Sequence, residues 1–313
     1  MKGLYTQGIA VLFERAPSLD VLAAALAMPI LKRTDEATSW ELGGPTLVVG
    51  FRPEVNGLIA VDVVERPWPD DMGSPTAAPA LFGAWSMGHF GPFTYPGSLG
   101  RACQQAWNWE GDPSPIIERH RAVVRVRLSY GFGAGDDVNL LPADYDPHAE
   151  MGSLVAVAQA ITRCQGALAY FNPNGEVLMS PGELAQTLGF AAEHRREPIE
   201  TWTNVRMSSL RGAADGWMLM DTVGFAQLDL PDLEAVFVET AFRPNDVGRF
   251  LRTLSLYVAG QGDVFKEGDT TDGPDDVRWR AMRFDEGLTD PPRRTVRFFP
   301  ENGPIVPEQL TTK

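Results

Sequence analysis

The stretch from His148 to Phe190 constrains the fold of this chain most tightly, because it reads as a helix, a hairpin and a second, capped helix. In HAEMGSLVAVAQAITRCQG, the residues Met151, Leu154, Val155, Ala158 and Ile161 recur at helical spacing and mark one apolar face. Gly166 ends that helix, since glycine enters left-handed backbone without a Cβ clash. ALAYFNPNGEVLMS follows as two short strands around the turn Asn172-Pro173-Asn174-Gly175. Ser180, Pro181 and Glu183 then spell a capping box with proline at the first helical position. Two short strands need sheet partners from elsewhere, so the helix His148 to Gln165 is expected where two halves of the fold meet. Tyr170 and Phe171 sit at the hairpin tip with no local structural duty, which makes them candidate contact residues.

The rest of the chain repeats this mixed grammar. Ile9 to Phe13 reads as a buried strand, and Ser18 caps a helix carrying Leu19, Leu22 and Leu26. Thr46 to Phe51 and Leu58 to Glu65 flank Asn56-Gly57, the strongest short-range hairpin signal. Ala122 to Tyr130 alternates Val124, Val126, Leu128 and Tyr130 with Val123, Arg125, Arg127 and Ser129, which predicts one buried and one wet face. Trp217 to Val223, Leu233 to Glu239 and Arg294 to Phe299 read as strands, and Pro244 opens a helix with Val247, Phe250, Leu251, Leu254 and Tyr257 in register.

Between the first strands and the next helix, residues 66–97 change character: RPWPDDMGSPTAAPALFGAWSMGHFGPFTYPG. Its prolines exclude regular structure over most of its length, yet Trp68, Phe82, Trp85, Phe90, Phe93 and Tyr95 make it unlike a solvated linker. The expectation is an ordered loop packed on the body, or the wall of a groove. Trp85, His89, Phe93 and Tyr95 are therefore candidate partner contacts.

With 313 residues and a formal net charge of −14, the chain suits a soluble globular protein that repels nucleic acid and favours a basic partner. Cys103 and Cys164 have no metal or redox spacing and read as buried free thiols. The apolar run from Gly8 to Phe13 is too short for a signal peptide, and no window approaches a membrane span, so a cytoplasmic location with no membrane partner is expected.

Four segments together, LYTQGIAVLFE, ALAYFNPNGEVLMSP, GWMLMDTVGFAQLDLPDLE and GDTTDGPDDVRWRA, resemble an uncharacterised bacterial domain-of-unknown-function family from Leu4 to about Pro300. The resemblance carries no catalytic residues. It associates the chain with type VI secretion and polymorphic-toxin loci, and implies an accessory or immunity-type binding protein. The segment 66–97 has no place in the family pattern.

Candidate chemistry is sparse. Asp144, Asp146 and His148 in ADYDPH could hold a divalent metal with help from Asp136 or Asp137, as a metal-dependent hydrolase requires. Asp146 before Pro147 is, more simply, a helix N-cap. Gly131 to Asp137 lacks the third glycine and the Lys-Ser/Thr of a nucleotide loop, and its carboxylates repel phosphate. No nucleophile elbow accompanies the four histidines. Arg278, Arg280, Arg283, Arg293, Arg294 and Arg297 read as the wet side of strands, paired with Asp275, Asp276, Asp285 and Glu286 rather than with nucleic acid.

The expected fold is α+β: two packed α+β lobes with mainly antiparallel sheets and helices on one face, at 1–120 and 121–300, followed by a flexible tail at 301–313. The expected function is non-catalytic protein binding, as an immunity protein or adaptor for a secreted, basic toxin, with no cofactor. The alternatives are the metal-dependent hydrolase and a small-ligand sensor with its pocket under Trp85 to Tyr95.

Overall fold

The computed structural model describes residues 2–37, 39–133, 140–210 and 216–312. The chain divides into two compact units, Met1–Trp202 and Thr203–Lys313. Both are α+β, with mostly antiparallel sheets. No helix among the described residues is long and apolar enough to cross a membrane.

The first unit runs β1 (Gln7–Phe13), α1 (Leu19–Leu26), β2 (Ile30–Thr34), β3 (Thr46–Arg52), β4 (Gly57–Val64), α2 (Pro79–Ser86), α3 (Ser98–Gln104), α4 (Ser114–Arg119), β5 (Ala122–Ser129), α5 (Pro147–Thr162), β6 (Ala167–Asn172), β7 (Val177–Met179) and α6 (Pro181–Glu193). Its seven strands form one antiparallel sheet in the order β2-β3-β4-β5-β1-β6-β7. The break expected at residue 120 would fall just before β5, but β5 pairs with β1 on one side and β4 on the other. Sheet pairing therefore holds residues on both sides of that point in one unit, and the division comes after Trp202.

Register fixes what each face carries. Ile9 opposes Val126 and Val11 opposes Val124, so these residues share a face, on which α5 packs. Gly8 opposes Arg127 and Ala10 opposes Arg125, while Asp62 of β4 lies across from Arg125. This second face was expected to be wet and is instead buried: all eight residues of β5 are, Arg125 and Arg127 included. The reason is the aromatic segment, which folds over it. Trp68 meets the rings of Trp85, Phe90 and Phe171 edge-on at 6.2, 5.5 and 5.1 Å, and α2, α3 and α4 add Ala84, Leu99, Ala102, Cys103 and Ile116 to the same core. Helices thus cover both faces of this sheet, where one was expected. His120 pins the cover down: its Nε2 accepts the Trp68 N–H at 2.9 Å while Nδ1 faces the Ile116 carbonyl at 2.9 Å.

Helix α5, expected at a junction between lobes, packs inside the first unit on β1, β5 and β6. Its N-cap is Asp146, accepting from the N–H groups of His148 and Ala149, and α6 starts with the full capping box of Ser180 and Glu183. Cys103 and Cys164 are buried free thiols.

The second unit contains β8 (Asn204–Ser209), β9 (Trp217–Val223), β10 (Asp232–Val238), α7 (Pro244–Gln261), β11 (Thr270–Asp272), β12 (Arg278–Phe284) and β13 (Thr295–Pro300). The sheet order is β11-β12-β13-β10-β9-β8, with β10 and β13 parallel and the other pairs antiparallel. Val247, Phe250, Leu251 and Leu254 of α7 are buried, as the helical stripe predicts, whereas Tyr257 is exposed and Val258 is buried in the next position. On the strands, Asp221 bonds Arg206 and Arg293, and Glu234 bonds Arg297. Arg283 pairs with Asp263 and Arg280 with Glu301, so the pairing partners of these arginines differ from the expected Asp275, Asp276, Asp285 and Glu286. The stretch after Pro300 was expected to hang free. It closes instead over the sheet: Leu310 is buried in the core with Val306 packed against it, and the Leu310 carbonyl accepts from Arg297 Nη1 at 2.6 Å.

Candidate functional site

The site is built where β1, β5 and the aromatic segment converge. Gly8 allows the backbones to approach, since a Cβ there would lie 3.1 Å from Gly91 Cα. Gly91 has φ +126°, a conformation glycine tolerates, and a Cβ on it would collide with Thr94 Oγ1 and Asn174 Oδ1. Asn174 holds three pieces together. Its Oδ1 accepts from the Phe93 N–H and the Thr94 hydroxyl, each at 3.0 Å, and its Nδ2 donates to the Gly8 carbonyl at 2.8 Å.

A cleft of about 330 Å³ opens beside this junction, lined by Leu4, Tyr5, Trp85, Met87, His89 and Pro92, with Ser86, Thr94 and glycines 3, 88 and 91 completing its walls. That volume is near the lower end of the range of about 300–1,000 Å³ typical of ligand pockets. Leu4 and Met87 are 37% and 55% exposed, so the cleft carries accessible apolar side chains.

Beneath it lies a buried charge network. Asp62 accepts from Arg125 Nη2 at 2.6 Å, Arg127 Nη2 at 2.9 Å and the Gly44 N–H at 3.2 Å. Burial alone would raise the Asp62 carboxyl, but Arg125 and Arg127 outweigh it and hold the group below its ordinary value. The Arg127 guanidinium sits 4.4 Å from the centre of the Tyr5 ring, whose other neighbours include His89, edge-on at 5.2 Å. His89 is kept neutral: burial, then Arg127 and Arg125, bring its pKa down to about 4. Its Nδ1 lies 3.3 Å from the Leu42 carbonyl and 3.4 Å from Arg127 Nη1. We assign the proton to Nδ1, because the Leu42 carbonyl can only accept. Nε2 is then an unprotonated acceptor.

The residues singled out from sequence fare differently. Trp85 and His89 line the cleft. Phe93 is half-buried and Tyr95 is exposed near Arg101, and neither lines it. Tyr170 and Phe171 are fully buried, and so are Asn172 to Glu176, so the hairpin tip offers no surface to a partner. The reason is again the cover: Phe171 packs on Trp68, and Glu176 pairs with Arg101 at 2.6 Å. On the opposite face, the Tyr170 hydroxyl donates to the Thr201 carbonyl at 2.8 Å.

The metal set is not brought together. Asp144 pairs with Arg52 at 2.6 Å, Asp146 caps α5, and His148 Nδ1 meets Glu197 at 2.8 Å. No group of three metal-ligating side chains occurs among the described residues, and Asp136 and Asp137 lie outside them.

Sequence reasoning missed Tyr5, Leu4, Met87 and the Asp62–Arg125–Arg127 network. One signal for the network was present: Asp62 interrupts the apolar strand Gly57–Val64, where an acid needs a buried cationic partner. The second unit has its own, larger cleft of about 670 Å³, bordered by Arg283, Arg294, Arg297, Asp285 and Glu286. Two of its arginines, Arg283 and Arg297, are already engaged, by Asp263 and Glu234, and Arg294 is exposed.

A family model described as a domain of unknown function (DUF4261) matches residues 221–298. The matched stretch lies within the second unit, from β9 to β13, and includes Asp221, Asp232, Glu234, Arg293 and Arg297. No curated protein and no solved structure matches the chain. Residues 221–298 are thus similar to an uncharacterised domain family, and that family brings no chemistry to the site in the first unit.

Proposed function

We propose that this chain is a non-catalytic protein-binding module, with the cleft at Tyr5, Trp85, Met87 and His89 as its contact site. The observation that carries the reading is an accessible apolar pair, Leu4 and Met87, on a cleft whose polar groups are largely tied to other protein groups. Concave pockets that lose their water on binding are where interfaces concentrate their binding energy. The most deeply buried arginines of both units are engaged in bonds to carboxylates, which suits a scaffold rather than a reaction centre. A net charge of −14 favours association with a basic partner.

The finer reading, an immunity or accessory protein for a secreted bacterial toxin, rests on the sequence resemblance alone, and the identity of the captured protein tests it. The experiment compares affinity capture from the native host by the wild-type chain, by Met87→Asp and by Ile305→Asp. A partner held by the wild type and by the Ile305 variant, and lost with Met87→Asp, supports the contact site. A partner retained equally by all three contradicts it.

A further inference from the structure

We infer that the cleft binds the C-terminal residue of its partner, taking the terminal carboxylate together with an apolar last side chain; this rests on reading the cleft as the contact site. The network beneath it pairs two guanidiniums, Arg125 and Arg127, with the single carboxylate of Asp62. His89, between that network and the cleft, is neutral and adds nothing to offset the difference. The floor therefore carries one positive charge in excess, buried where solvent screens it poorly.

One unused donor points the same way. Trp85 Nε1 is buried without a hydrogen-bond acceptor, and Trp85 lines the cleft. A buried donor left unpaired is costly, so an acceptor supplied by a ligand is favoured. Leu4 and Met87 ask for an apolar group, and about 330 Å³ suits one side chain with its terminus rather than an extended peptide or a large cofactor. A chain terminus supplies both parts at once, and capture of terminal carboxylates by fixed donors is a recurrent mode of peptide recognition. It also reconciles two opposite charge signals. The long-range field of a chain at −14 draws in a basic protein, and the local excess of positive charge then receives the one carboxylate that every such protein ends with.

The test titrates the full chain with the peptide Ala-Ala-Ala-Leu bearing a free C-terminus, with its C-terminal amide, and with 4-methylpentanoate. Binding is followed by calorimetry and by the methyl signal of Met87. The free acid is expected to bind at least about tenfold more tightly than the amide, shifting the Met87 signal, because a charge-assisted contact is lost on amidation. Met87→Asp is expected to weaken both peptides, through the lost apolar contact, and the free acid more, through the added negative charge. Equal binding of acid and amide overturns the carboxylate assignment and leaves an apolar contact. Binding of 4-methylpentanoate as tight as the peptide makes a small free acid the ligand and overturns the partner-terminus assignment. If no probe moves the Met87 signal while Met87-dependent capture persists, this inference falls and the contact site stands. If capture too is independent of Met87, both fall.

Discussion

Replacing Asp62 by alanine tests most directly whether the second face of the first sheet is a buried charged core. Asp62 is fully buried, Arg125 is 2% exposed, and the carboxylate accepts bonds from both arginines and the Gly44 N–H. Removing it strands two guanidiniums away from water, and breaking a buried pair in this way costs about 3–5 kcal/mol. Because the chain has two compact units, a single unfolding free energy is poorly defined, and amide hydrogen exchange in β4 and β5 reads the right unit. The expected result is a fall in protection of about 3–5 kcal/mol in those strands. Replacing Asp62, Arg125 and Arg127 together by Leu, Met and Met is expected to recover most of the loss, since apolar substitutes for a buried ion pair are often neutral or better. The sign with pH follows from the same contacts. The folded Asp62 carboxyl lies below its ordinary value, so its stabilisation is present above that value and lost as pH falls through the folded one. A loss under about 1 kcal/mol in Asp62→Ala, the scale of an exposed pair, would refute the argument.

Further outcomes follow from single residues. His89 titrates near 4 in the fold against an ordinary 6.5, so its contribution, on the order of 3 kcal/mol at about 1.4 kcal/mol per tenfold, is present above 6.5 and lost as pH falls towards 4. His89→Gln should flatten that slope in the exchange of the first unit. Asp232 behaves oppositely: burial lifts it from 3.8 to about 6, so a stabilisation of similar order is present below 3.8 and lost as pH rises through 6. Asp232→Asn should remove that slope from the exchange of β9 and β10. Leu310→Ala should cost about 2–5 kcal/mol in the second unit, read by exchange in β13, and a cost near zero would restore the free tail.

Most of the fold was legible because local rules and tertiary contacts agree in the helices. The stripe Met151 to Ile161, the Asp146 cap and the Ser180–Glu183 box are all formed as their residues dictate, and the hairpin marked by Asn56-Gly57 forms with its turn at Pro53 to Asn56 and Gly57 already in β4. What failed was inference about the far side of a sheet. Alternation in β5 marks Arg125 and Arg127 as the polar face, but a polar face is wet only when nothing covers it. Covering it takes a long-range event, the folding of residues 66–97 onto strands before and after them, which no local period encodes. The hairpin tip failed for the same cause: a turn is normally at the surface, and here Asn174 is buried because its amide ties the aromatic segment to Gly8. The tail failed because one residue, Leu310, decides its docking. Trp85 and His89 were legible as site candidates because aromatics in a proline-rich stretch demand a packing role, whereas Tyr5 and Met87 needed the folded neighbourhood.

The claim on which the rest depends is that a partner protein meets the chain at the cleft. Photo-crosslinking from position 87, with position 257 on α7 as an equally exposed control, tests it directly. A protein adduct from position 87, containing the C-terminal peptide of the partner, is expected, and no such adduct from position 257. An adduct from 257 alone, or one from 87 joined to a different part of the partner in every product, would contradict it.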